Sequence, residues 1–230
     1  MKFLCVALTL LACATLHTAS AAQVAYEIDF TDYRSGPIDA WLRTKGLTLR
    51  DDTANRQKIA LTPSAQGLVI EALRPARGFL VQPSIHGAPF SSIEIEWGVA
   101  RHPQNASYER RLNNEAIMVH VFFGADKQPS GSLFVPDIPY FVGLFLCNGD
   151  RVGHPYVGRH YRDSGRYVCL GSPASREPLT SHFDLAQGIR TLFGQGFART
   201  VSGYSISVDT SSSGNQGRSS ALIKRIRFLR

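Results

Sequence analysis

Four polar residues occupy positions from which they would face away from a buried set. Glu94 and Glu96 alternate with Ile93, Ile95 and Trp97; His120 interrupts the apolar run Ala116–Phe123; Asp209 ends the alternation of Tyr204, Ile206 and Val208. Carboxylates and an imidazole gathered on one concave sheet face would hydrogen-bond sugar hydroxyls. The competing reading is an ordinary solvated face for the glutamates and a core histidine for His120. Glu94 and Glu96 make a poor acid pair for glycoside hydrolysis, because residues two apart on a strand point the same way and stand about 7 Å apart.

The segment Asn148–Arg166 (NGDRVGHPYVGRHYRDSGR) holds a denser set. Arg151, His154, Tyr156, Arg159, His160 and Tyr161, followed by Arg162 and Asp163, are groups that stack on rings or grip anions. With Arg101, Arg110 and Arg111 of the polar insert Arg101–Asn114 they would line a cationic, aromatic groove for an acidic glycan; the alternative is a solvated loop. His120, Asn114, Arg159 and Tyr161 also supply the residue types for β-elimination on uronates, in which one group takes the C5 proton and another neutralises the carboxylate. No spacing ties those four together, so no catalytic residue is assigned.

Several chemistries are excluded. The chain has no GxSxG, HExxH, phosphate-binding loop or dinucleotide glycine pattern. Asp51 and Asp52 match no calcium loop, and no metal or cofactor is expected. The net charge is +7, with arginine the main cation, which suits planar contacts to carboxylate, sulfate or phosphate. The arginines are scattered and no aromatic-plus-basic module accompanies them, so nucleic acid is not expected as a partner.

Residues 1–21 are expected to be a signal peptide: Lys2, the apolar run Phe3–Leu16, and Ala19-Ser20-Ala21 before a cleavage after Ala21 or Ala22. Leu10-Leu11-Ala12-Cys13 offers a weaker lipoprotein reading. No later segment is long and apolar enough to span a bilayer. Export would leave Cys147 and Cys169, each beside a strand-like run, expected to form one disulfide. The alternative is two buried thiols.

Short strands carry these residues. Val24–Phe30, Gly67–Ala72, Gly78–Gln82, Ile93–Val99, Ala116–Phe123, Tyr140–Cys147, Tyr167–Leu170, Gly203–Asp209 and Ala221–Leu229 all read so. Gly67–Ala72 and Gly78–Gln82 are expected to pair across Arg74–Arg77, and Ser92–Gly124 to supply a central pair. Asp29–Trp41 reads as turn, and His182–Phe193 as the one helix, stopped by Gly194. One domain over residues 22–230 follows: an all-β antiparallel sandwich, jelly-roll type, with one short helix.

Three segments, Ile93–Gly124, Phe183–Gly194 and Gly203–Leu229, together resemble a family of exported bacterial proteins of unknown function with a galactose-binding-like jelly roll. The resemblance implies fold and compartment. The family's acidic residues before the central strand and after the penultimate one are replaced here by Asn113-Asn114-Glu115 and Ser211–Ser213, so no acid–base role is expected there. The expected function is non-catalytic binding of a glycan, acidic or neutral, in the periplasm or outside the cell. A lyase or hydrolase on acidic glycan, and a protein-partner module of an envelope assembly, are the alternatives.

Overall fold

The alternation at Ser92–Arg101 becomes a ten-residue strand that buries Ile93, Ile95, Trp97 and Val99 and turns Glu94 and Glu96 the other way. It belongs to a computed structural model that describes residues 22–85, 89–173, 177–197 and 199–230. The expected signal peptide lies outside the described residues.

Two sheets face each other. The six-stranded sheet contains β1 (Val24–Asp29), β3 (Ile59–Ser64), β4 (Gly67–Ala72), β6 (Ser92–Arg101), β11 (Leu179–Asp184) and β13 (Ser219–Leu229). Its order is β11-β6-β13-β4-β3, with β1 also paired to β13. The seven-stranded sheet contains β2 (Thr48–Asp51), β5 (Arg77–Gln82), β7 (Glu115–Gln128), β8 (Ile138–Leu146), β9 (Pro155–Tyr156), β10 (Gly165–Gly171) and β12 (Val201–Asp209). Its order is β2-β5-β12-β7-β8-β10-β9. The ladders are antiparallel except β8 with β10. This is an antiparallel β-sandwich of jelly-roll type.

Alternate side chains of both sheets meet in one core, among them Phe30, Ile70, Trp97, Val119, Val121, Leu144, Tyr204, Ile206 and Phe228. Trp97 keeps its indole N–H satisfied there by donating to Ser181 Oγ, 3.0 Å away.

Three local expectations are corrected. The strands β4 and β5 do not form a hairpin: the chain crosses from one sheet to the other between them. Both carry an apolar face, and facing the same core from opposite sheets buries both. Two bonds between Thr210 and Ala76 hold this corner: Ala76 N–H donates to Thr210 Oγ1 (3.1 Å) and Thr210 N–H to Ala76 O (2.8 Å). The strands β6 and β7 likewise lie in different sheets, so Arg101–Asn114 bridges the layers instead of closing a hairpin. Finally, the described residues hold two α-helices, α1 (Ile38–Thr44) and α2 (Leu185–Phe193). The first follows Pro37, starts inside the stretch expected as turn and runs past its end, burying Leu42. The second starts later than expected, because His182–Asp184 pair with the edge of β6. Asp184 caps it by accepting from Gln187 N–H at 2.7 Å.

Candidate functional site

The outward face of the seven-stranded sheet is half covered by loops. Along β7 the outward residues are Met118, His120 and Phe122, since Val119, Val121 and Phe123 enter the core. On β12 they are Ser205, Ser207 and Asp209, on β5 Phe79, on β8 Phe141, Gly143 and Phe145, and on β10 Tyr167. A belt of rings carried by β5, β7, β8 and β10 runs across the sheet. His120 lies 6.1 Å from Phe79, 6.2 Å from Phe122 and 5.3 Å from Phe141, centroid to centroid. Phe141 then meets Tyr161 and Tyr167, each at 5.5 Å, and Tyr167 meets Tyr108 at 4.9 Å. Tyr108 touches Phe145 and Tyr156, and Tyr156 touches His154.

The two loops roof one end of this belt. Tyr108, from Arg101–Asn114, and Tyr156, from Asn148–Arg166, pack with Met118, Phe145 and the Cys147–Cys169 disulfide in a second apolar cluster. Buried Asp150 joins the loops: it accepts from Ser107 Oγ at 2.6 Å and Tyr108 N–H at 2.9 Å. Gly143 makes room beneath, since a Cβ there would sit 2.6 Å from Met118 Sδ and 2.9 Å from the Tyr167 ring. The other end stays open, with Phe79 and Phe122 half-buried.

His120 is buried in this floor, and burial holds its imidazole down to about 4, so it is neutral at physiological pH. Its Nδ1 is 3.2 Å from Ser205 Oγ. About 13 Å along the strand, Glu115 stands directly across from Asp209. The alternation along β7 would send Glu115 into the core; a bulge at Ala116 and Ile117, both of which face the core, returns it to the outer face. Tyr108 OH donates to Glu115 Oε2 (2.9 Å) and Ser207 Oγ lies 3.4 Å from Oε1. Burial first, and the Asp209 charge second, push Glu115 well above the carboxylate range. Burial also raises Asp209, against the bonds that it accepts from Ser211.

The structure sorts the expected residues. His120 and Asp209 share this face, but Glu94 and Glu96 lie on the outside of the opposite sheet, so the four do not converge. There they are held by cations: Glu96 by Lys224 (3.0 Å), Arg225 (3.2 Å) and Arg227 (3.4 Å), Glu94 by Arg227 (3.7 Å). Tyr156, Tyr161 and His154 join the belt. Arg151 is spent on Glu109 (2.8 Å) and His154 (3.1 Å). Arg101, Arg110, Arg111 and Arg159 are exposed and His160 is half-exposed. The elimination set is dispersed: Asn114 is bonded to Ser212 and Ser213, and Tyr161 OH donates to Pro136 O. Glu115 and Tyr108, which no pattern singled out, are the additions. Among the described residues no group of three or more His, Cys, Asp or Glu is placed to hold a metal ion, and no helix is long and apolar enough to cross a membrane.

No family model and no curated protein matches the chain, which leaves the resemblance to the exported family without support beyond the jelly-roll sandwich. Several solved structures align over most of its length, three of them as follows. The catalytic domain of Humicola grisea Cel12A, solved with a soaked thio cellotetraose, is 12% identical, covering 89% of this chain and 99% of that one, with a TM-score of 0.44. The Trichoderma harzianum endoglucanase 3 of family GH12 is 7% identical over 92% and 99%, TM-score 0.37. The xyloglucanase domain of NopAA from Sinorhizobium fredii, in complex with cellobiose, is 10% identical over 89% and 99%, TM-score 0.33. Scores and identities this low bear on neither the family nor the activity of this chain.

Proposed function

We propose that the protein is a glycan-binding β-sandwich whose site is the outer face of the seven-stranded sheet. The observation that carries this reading is the ring belt, open at Phe79 and Phe122 and centred on a neutral His120 bonded to Ser205. Rings supply apolar platforms for the C–H faces of a sugar, and the imidazole and serine hydroxyls supply the few polar groups that fix its orientation. Arg77 stands at the Asp209 end of the same face, where its charge acts on Tyr161 as well as on Asp209, so both neutral and acidic chains belong in the test. The test is titration with a panel of neutral and acidic oligosaccharides. Phe79→Ala and Phe122→Ala are each expected to weaken binding three- to tenfold, about the range measured for aromatic contacts.

One observation favours a second reading, a glycan hydrolase. Glu115 and Asp209 are cross-strand neighbours at the end of the same face, and such pairs carry their Cβ atoms about 5 Å apart. Burial pushes Glu115 further toward its protonated form than it does Asp209, the more exposed of the two, an ordering that suits Glu115 to the acid role in glycoside cleavage. On this reading Glu115 gives the proton to the leaving oxygen. Reducing-end release that disappears in Glu115→Gln while binding persists would support it. Binding with no release in the wild type would leave the non-catalytic reading alone.

A further inference from the structure

Six large apolar side chains stand exposed among the described residues, and four lie in two neighbouring loops: Leu133 (99%), Phe134 (95%), Val152 (58%) and Val157 (49%). The loops, Ser130–Asp137 and Asn148–Arg166, are stitched through Tyr161. Its main-chain N–H donates to Ser130 O (3.1 Å) and its hydroxyl to Pro136 O. Its backbone is left-handed, φ 54°, a conformation that a bulky residue keeps only where its surroundings impose it.

The tip that carries Leu133 and Phe134 is built, not frayed. Ser130 is buried; its N–H donates to Asp137 Oδ1 (2.9 Å), and its Oγ lies 2.9 Å from Ser132 O and 2.6 Å from Val135 O. The polar groups of the loop are turned inward on one another, while its two largest apolar groups are turned out. Adjacent large apolar side chains left wholly in water mark a surface that something covers.

The charges beside the tip say what would cover it. Arg159 and Arg162 are exposed on either side of Tyr161, and no ion pair joins them to another described residue. Asp137 is turned onto the Ser130 N–H and Asp126 is paired with Arg199. A short apolar wedge with a basic rim is too small for a stable protein interface but complements an anionic bilayer, where guanidinium groups meet lipid phosphate and the wedge enters the headgroup–acyl boundary. A glycan would find little in the tip, whose hydrogen-bonding groups are already used.

We propose that Leu133 and Phe134, flanked by Arg159 and Arg162, insert into the surface of an anionic lipid bilayer. The experiment is co-sedimentation of the purified protein with vesicles of phosphatidylcholine alone and of phosphatidylcholine with 30% phosphatidylglycerol. Binding is expected to the anionic vesicles and to weaken as salt is added. The double variant Leu133→Asp, Phe134→Asp should lose at least about tenfold in partitioning. Arg159→Gln and Arg162→Gln should each lose about fivefold. All four positions are exposed, so unchanged circular dichroism should accompany the loss.

Absent binding, or binding that the aspartate variant leaves unchanged, overturns the proposal. So does a concentration-dependent dimer that the same variant disperses without any vesicle binding, which would assign the tip to a second copy of the chain. Oligosaccharide affinity reads the belt and vesicle partitioning reads the tip, so the two proposals can fail separately.

Discussion

His120 and Glu115 lie five residues apart on β7, and burial drives each to its uncharged form from the opposite direction. The signs of their contributions to stability are therefore opposite. An unfolded histidine takes a proton near about 6.5, whereas His120 in the fold waits until about 4. Its contribution is complete above that window and is lost as pH falls through it, by about 3 kcal/mol. Urea unfolding between pH 7 and 4 should show a shallower loss in His120→Gln than in the wild type. Glu115 has a folded value above its unfolded one, so its contribution is present below about 4.3 and lost as pH rises through the folded value. The same measurement from about pH 4.3 upward should give a flatter curve for Glu115→Gln. His120 was legible in the sequence as the one strongly polar residue in an apolar run. Glu115 was not, because the period-2 count sends it to the core and the bulge that reverses it leaves no mark in residue type.

At the scale of elements, the face depends on two loops that have little regular structure of their own. The disulfide closes the Asn148–Arg166 loop across a separation of 22 residues, and buried Asp150 ties it to the loop that carries Tyr108. Cys147→Ser with Cys169→Ser should cost about 3 kcal/mol on the chain-entropy account, read as a lower urea midpoint. Tyr108 and Tyr156 should also become more accessible to quenchers, because the roof loosens with its tether. The disulfide is compatible with an oxidising compartment. The strands were legible because alternation and apolar runs are local properties; the partners were not. Gly67–Ala72 and Gly78–Gln82, separated by a short polar link, look like a hairpin, and only the demand that both apolar faces share one core sends them to opposite sheets. Seven residues are also too few for a helix such as α1 to show a period against the turn signals around it.

Over the whole molecule, the two outer faces differ in chemical character. On the six-stranded sheet Arg225 sits between Asp29 (2.7 Å) and Glu96 (3.2 Å), and Arg227 reaches Glu27 (2.7 Å), a ladder that consumes its own charges. Bonds from Thr31 and Arg225 outweigh burial and hold Asp29 down to about 2, which keeps the ladder intact into acid. The carboxylates Glu94 and Glu96 suggested a binding site in the sequence because alternation reports that a side chain faces outward, not what it meets there. The seven-stranded sheet presents the opposite case, rings, serine hydroxyls and a neutral imidazole on a face that the loops leave partly open. The proposed sugar site is this second face. It is tested most directly by calorimetric titration of the best-binding oligosaccharide into the wild type, Phe79→Ala, Phe122→Ala and Glu96→Gln. The predicted result is three- to tenfold weaker binding for each phenylalanine variant, with Glu96→Gln unchanged. Wild-type affinity in both phenylalanine variants, or a loss confined to Glu96→Gln, would contradict it.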